Sequence, residues 1–157
     1  MLLTADIGNT SITLGLFDDD ALVEDFRLAS DKDLSLEEYE VLLKSLFKDY
    51  SVEGCIISSV VEELSKKFKK AADDVFKTNS IMLSAKVNTG IKIAMPNVNE
   101  VGADRIANAA GAYVLYNHPV IVVDFGTATT FDIVNSNGEF VGGVIAPGIN
   151  LQLKTLN

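Results

Sequence analysis

The apolar positions of the chain change rhythm several times, and each change marks an element. Residues 2–8 (LLTADIG) are a nearly unbroken apolar run, the pattern of a buried strand. Residues 11–17 (SITLGLF) alternate instead, as a second strand does, with Gly8-Asn9 as the turn between them. The acidic turn Asp18-Asp19-Asp20 leads into a third strand near 21–28. The period then lengthens. Leu36, Tyr39, Leu42, Leu43, Leu46 and Phe47 recur at helical spacing within 35–49, Ser35 stands as N-cap, and Glu38 three residues on forms a capping box. An apolar strand over 54–60, a helix over 61–77 with Leu64, Phe68, Ala71, Ala72 and Val75 on one side, and a short strand over 80–83 follow. Residues 84–99, with Gly90, Pro96 and several Asn, read as a loop, and 100–117 as a helix. The front of the chain therefore predicts βββαβαβ and a further helix, a mixed α/β layer.

A second set of strands begins at 119. Residues 119–125 (PVIVVDF) are of buried type, and 128–134 and 139–146 are joined by the turn Asn135-Ser136-Asn137-Gly138. A helix opens after Pro147-Gly148. Set over the start of the chain, DFGTATTFDIVNSNGEFV matches DIGNTSITLGLFDDDALV without a gap, 118 residues apart. Asp124 falls on Asp6 and Gly126 on Gly8, while Phe131 and Asp132 fall on Thr13 and Leu14. The expectation is a duplicated βββ unit, with a first domain over 1–118 and the start of a second over 119–157.

Each copy carries an Asp-x-Gly turn at the end of a strand. Glycine there lets the backbone approach a phosphate and point N–H groups at it. A following Thr, Ser or Asn adds donors, and the Asp can hold a hydrated divalent cation beside the phosphates. One such turn is also an ordinary hairpin. Two in matching settings suit a grip on one nucleotide tail.

Composition narrows the partners. Apolar residues make up 48% and charged residues 22%, enough for a packed core and too few charges for disorder. The net charge is −9. An acidic chain gains nothing from counterion release, so nucleic acid is not an expected partner. Lys66, Lys67, Lys69 and Lys70 have acidic neighbours in a helical segment and read as a solvated face. No apolar run reaches the roughly 18 residues that span a bilayer. The start, MLLTADIGNT, lacks the basic flank of a secretory signal and meets Asp6 early. A cytoplasmic protein without membrane contact is expected. The single cysteine, Cys55, sits in the apolar run CIISSVV as a buried strand residue, and the single histidine, His118, stands at a helix end before Pro119.

The duplicated turns resemble those of the superfamily of acetate and sugar kinases, heat-shock ATPase chaperones and actin, which implies an actin-like, ribonuclease H-like duplicated fold. Three further strings narrow the resemblance: DIGNT at 6–10, VGADR at 101–105, and DFGTATTFD at 124–132 followed by GGVIAPG at 142–148. In that order they look like type III pantothenate kinase, and the resemblance runs over the whole chain. It implies ATP-dependent phosphorylation of pantothenate to 4'-phosphopantothenate, the first step of coenzyme A synthesis. It also implies an ATP site over Asp6, Ile7, Gly8, Asn9, Thr10, Ser11, Ile12 and Thr13, reaching Thr127. Asp6 would bind magnesium, and Asp124 a monovalent cation, potassium or ammonium. Gly102, Ala103, Asp104 and Arg105 would line the pantothenate pocket with Asp104 as general base, and a homodimer or other self-association would be expected.

The residues of GADR allow two readings on their own. An Asp at a helix start beside the small Gly102 and Ala103 can sit close to a bound alcohol, and Arg105 can offer a planar fork to a carboxylate. The same pair also suits a helix cap and its surface partner. Two departures from the family pattern stand out. Met95 occupies the place of a tyrosine that family members set near the substrate, where it can still pack on an aliphatic group. Family members also continue well past the length of this chain, so a fragment of a longer enzyme, inactive alone, is the expectation. Two other functions fit a chain of this kind. One is a non-catalytic ATP-fold regulatory protein, like an accessory factor for transcription; the other is a kinase of another small alcohol or sugar.

Overall fold

A computed structural model of the chain describes residues 1–116 and 119–155; His118 lies outside the described residues. Two compact units result, Met1–Leu83 and Ser84–Asn157. This division follows packing, whereas the repeat counted along the sequence starts its second copy at 119.

The first unit is a five-stranded sheet in the order β3-β2-β1-β4-β5. Its strands are β1 (Leu2–Ile7), β2 (Ser11–Asp18), β3 (Ala21–Ala29), β4 (Gly54–Ser59) and β5 (Ile81–Met82), with helices α1 (Leu36–Leu46) and α2 (Glu62–Phe76) between them. β1–β3 form an antiparallel meander, and β4 and β5 add in parallel. The expected order βββαβαβ is the observed one. Leu3, Ala5 and Ile7 of β1 alternate inward with Ile12, Leu14 and Leu16 of β2, and pack with Leu43, Leu64 and Phe68 in one core. Edge-to-face rings knit the helices together, Tyr39 on Phe68 and Phe47 on Phe76. The capping box closes as read: Ser35 accepts from the Glu38 amide, and Glu38 accepts from the Ser35 amide. Each lysine of the basic run lies within 4 Å of an acid one helical turn away: Lys66 of Glu62, Lys67 of Glu63, Lys69 of Asp73 and Lys70 of Asp74. Cys55 is buried in β4, and burial pushes its thiol up to about 11, which leaves almost no thiolate at neutral pH.

The second unit is a four-stranded sheet in the order β6-β9-β8-β7. Here β6 is Lys92–Ile93, β7 Val120–Phe125, β8 Ala128–Val134 and β9 Glu139–Pro147. A short 3-10 turn (Val98–Glu100) precedes helix α3 (Ala103–Tyr116), and α4 (Ile149–Thr155) follows β9. The stretch expected to be loop thus contains a strand. β6 is only two residues long and gains its order from parallel pairing with Glu139 and Phe140 and from the Lys92–Glu139 ion pair. No local pattern could signal it. α3 lies on β7 and β8, burying Ile106, Ala109 and Ala112 with Val134 and Phe140. Among the described residues no helix is long and apolar enough to cross a membrane.

The duplication is present, with a correction to its register. Asp6 pairs across β1–β2 with Thr13, and Asp124 pairs across β7–β8 with Thr130, not with Phe131. Four residues lie between the Ile7–Ile12 pair and only three between the Phe125–Thr129 pair, so β8 trails by one residue. The next turn repays the difference. Two residues lie between the Asp18–Ala21 pair, whereas three lie between Asn135 and Glu139, which bond through their backbones. A bulge falls at the same place in both copies, between Leu16 and Phe17 and between Ile133 and Val134. A one-residue slip turns every side chain to the opposite face, so the corrected register assigns the faces. Ile121, Val123 and Phe125 match Leu3, Ala5 and Ile7, while Phe131 and Ile133 match Leu14 and Leu16. In the first unit these positions are covered by helices; in the second all five are exposed.

Candidate functional site

In the first unit the site grows from the end of β1. Asp6 lies opposite Thr13 on β2 and beside Ser58 on β4, so the three side chains share the sheet face away from the helices. Ser58, itself buried, donates its hydroxyl to Asp6 Oδ1 at 2.9 Å and fixes that exposed carboxylate. The Gly8 amide donates to the Ser11 carbonyl at 3.0 Å and closes the turn. A Cβ on Gly8 would stand 3.3 Å from that carbonyl oxygen, which is tight. Ser30 steadies the turn from β3's end, donating its hydroxyl to the Gly8 carbonyl at 2.6 Å and its amide to the Thr10 carbonyl at 3.1 Å. The side chains of Asn9, Thr10 and Thr13 face solvent, while Ile7 and Ile12 point into the core and can offer a ligand only backbone. Arg27 donates to the Ser11 hydroxyl at 3.1 Å.

In the second unit Asp124 occupies the equivalent strand position. Its Oδ2 accepts from Asn108 Nδ2 at 3.0 Å, which ties β7 to α3. The Gly126 amide donates to the Ala128 carbonyl at 3.0 Å, and the Gly148 amide to the Thr127 carbonyl at 3.2 Å. Gly148 has no room for a side chain: a Cβ there would stand 2.3 Å from the Thr127 carbonyl oxygen and 2.5 Å from that of Gly126. PG at 147–148 thus braces the second Asp-x-Gly turn from behind.

The start of α3 carries GADR. Gly102 offers its carbonyl to the Ile106 amide at 3.1 Å and opens the helix. Asp104, in the first turn, is partly exposed and accepts the Arg105 amide on its own Oδ1 at 2.8 Å. A negative side chain is favourable there because the first-turn N–H groups lack partners. Arg105 turns inward. Its Nε–H donates to Asp132 Oδ1 at 2.7 Å, its Nη2 stands 2.5 Å from the same oxygen, and its guanidinium lies 5.5 Å from the Phe140 ring centroid. Met95, just after β6, lies against β9, its Sδ 3.3 Å from where a Gly142 Cβ would be.

The structure thus gathers Asp6, Gly8, Asn9, Thr10 and Thr13 at one turn, and Asp104, Arg105, Asp124 and Thr127 around α3 and β7–β8. Ser58, Ser30, Asn108 and Asp132 join the site only in the folded structure. The available signals were weak: Ser58 is a polar break in an apolar strand, Asp132 another, and Asn108 lies one helical turn beyond Asp104. Among the described residues no three acid, His or Cys side chains gather as a metal cage. A lone strand-end carboxylate such as Asp6 fits magnesium only where nucleotide phosphates and water complete the shell, the usual manner for that ion.

Comparison with known proteins fits this arrangement. A sequence model of the type III pantothenate kinase family matches residues 2–157. The chain is 42% identical to the type III pantothenate kinase of Agathobacter rectalis over 161 aligned positions, covering 99% of this chain and 62% of that one. It is 43% identical to that of Geotalea daltonii, covering 99% and 63%. The chain therefore spans a little under two thirds of the length of these curated relatives. Among solved structures, an Aquifex aeolicus Ppx/GppA phosphatase superposes with a TM-score of 0.60 at 18% identity, over 98% of this chain and 54% of that one. An ethanolamine utilization protein from Carboxydothermus hydrogenoformans does so with a TM-score of 0.55 at 13% identity, over 93% and 51%. Identities this low speak to the shared actin-like fold alone. With a family model matching residues 2–157 and relatives 42–43% identical aligned over 99% of the chain, the chain belongs to the type III pantothenate kinase family.

Proposed function

We propose that the protein carrying this sequence phosphorylates pantothenate from ATP, forming 4'-phosphopantothenate and ADP at the first step of coenzyme A synthesis, in the cytoplasm. The observation that carries the reading is Asp104, a partly exposed carboxylate at the start of α3, steadied by its neighbour's amide within a GADR string. The substrate hydroxyl oxygen attacks the γ-phosphorus in line. The bond from that phosphorus to the bridging oxygen breaks, ADP leaves with the electron pair, and the hydroxyl proton passes to Asp104. The turn at Gly8–Thr10 offers backbone and hydroxyl donors to phosphate oxygens, and Thr127 does the same from the second Asp-x-Gly turn. Ala103 and Gly102 leave room for the substrate beside Asp104, and Met95 gives an aliphatic group a surface to pack on. Magnesium at Asp6 and potassium or ammonium at Asp124 would neutralise charge that gathers on the phosphates.

A coupled assay of ADP release tests this on the longest natural form of the protein. Turnover is expected with pantothenate and not with a panel of sugars. Turnover on a sugar would move the assignment to another kinase of the fold, and ATP binding without turnover of any alcohol would favour a regulatory role.

We also propose self-association for the 157-residue chain itself. Ile121, Val123, Phe125, Phe131, Ile133 and Val144 leave one face of the second sheet apolar and exposed. Each such side chain gains roughly 1.5–3 kcal/mol on full burial, and contiguous patches of this kind mark contact surfaces. Sedimentation is expected to report a concentration-dependent dimer or larger species, and a monomer across the micromolar range would contradict it.

A further inference from the structure

We infer that Asp132 is a positioning residue that acts through Arg105 to set the place of Asp104. The inference rests on the reading of Asp104 as proton acceptor and extends it inward by two residues. Asp132 lies on β8 with its side chain 0% exposed, and Arg105, 14% exposed, is its ionic partner. Ionised carboxylates are rarely left so deep unless paired.

The pair is built into the unit on all sides. Arg105 Nε–H makes the hydrogen bond to Asp132 Oδ1, and Nη2 closes on the same oxygen as an ion pair, outside hydrogen-bonding direction. Thr130 donates its hydroxyl to Asp132 Oδ2 at 3.4 Å. The Phe140 ring lies beside the guanidinium. Gly143 on β9 is the wall that must stay bare, because a Cβ there would come 2.7 Å from both Arg105 Nη2 and Asp132 Oδ1.

Arg105 also touches Asp104 directly, its amide donating to Asp104 Oδ1 at 2.8 Å. One residue thus holds the proposed base by its backbone and is bolted to the sheet by its side chain. The geometry has a cost in recognition. The Nε and Nη2 edge of the guanidinium faces Asp132 and Nη2 is buried, so no two-pronged hold on a substrate carboxylate remains. The main work of Arg105 is therefore placement. Errors of about 1 Å in placement can cost on the order of 10²-fold in rate, and that loss falls on turnover, not on substrate affinity.

The test is steady-state kinetics on the longest natural form, with Asp132→Asn as the first variant. Turnover is expected to fall about 10²-fold, with KM for pantothenate and for ATP within about 2-fold of the parent. Asp104→Asn is measured in parallel. If Asp104→Asn keeps its turnover, the reading of the base fails; if only Asp132→Asn does, this inference fails alone. A lower melting temperature with normal kcat would make Asp132 merely structural and overturn the proposal. A loss carried by the pantothenate KM would overturn it too, since Arg105 would then be a substrate contact. Should Asp132→Asn not fold, the paired change Arg105→Met with Asp132→Leu replaces the ion pair by apolar groups, an exchange that such sites often tolerate. Reduced kcat at unchanged KM in the folded double variant supports the inference, and parental kcat refutes it.

Discussion

Asp104→Asn is expected to lower turnover about 10²–10⁴-fold, the usual contribution of a general base, while ATP affinity stays near the parent's. Asparagine keeps the shape of the side chain and an oxygen to accept the Arg105 amide, so the start of α3 should keep its geometry. What it lacks is the capacity to take a proton at neutral pH. The two Asp-x-Gly turns do not involve this carboxylate: Gly8 is closed by Ser11 and steadied by Ser30, and Thr127 is braced by Gly148. Nucleotide binding by titration and turnover by ADP release therefore separate the two roles in one variant. A variant that retains most of its turnover would leave Asp104 as a helix-start residue and nothing more.

Gly143→Ala is expected to be the most damaging single-methyl change in the second unit. The new Cβ would stand 2.0 Å from the Phe131 carbonyl oxygen, a backbone atom that cannot swing aside as a side chain can. It would also press on the Arg105–Asp132 pair. Overpacking typically costs about 1–3 kcal/mol, and this site belongs at the top of that range. For a unit of this size a loss of about 3 kcal/mol lowers the melting temperature by on the order of 10–20 °C. Gly111→Ala is the control. Gly111 sits in α3 with open space around the same vector, so alanine there should gain roughly 0.5–1 kcal/mol from helix preference. Equal melting temperatures for the two variants would contradict the geometry of the ion-pair wall.

Much of the fold can be read along the chain because its signals are local. The capping box at Ser35 and Glu38, the alternation through SITLGLF and the apolar stripe of α2 each depend on residues a turn or two apart. The repeat is legible for the same reason, yet its register is not. The first turn of the second copy is one residue shorter and the next one longer, so an ungapped comparison matches β7 and β9 and misplaces β8 between them. β6 is invisible locally because its order comes from partners 47 residues away. The site divides along the same line. Glycines and acids at the two turns and in GADR advertise themselves by spacing. Ser58, Asn108 and Asp132 matter through a neighbour on another element, and only the folded sheet supplies that neighbour.

The parallel pairing of β6 with β9 also bears on the order in which the protein takes shape during its synthesis. Every strand of the first sheet has been made once residue 82 is in place, and its core draws on no later residue. The second sheet cannot set its edge until Glu139 and Phe140 are available to Lys92 and Ile93. At about 5–20 residues per second of translation, the 23 residues from Tyr116 to Glu139 take on the order of 1–5 s. Throughout that interval residues 84–116 exist without the finished sheet that α3 covers, so the segment that carries GADR waits unsheltered. Mutations that slow the closing of β9 would lengthen this exposure and show themselves first as lower yield of folded protein, with the kinetics of the surviving molecules unchanged.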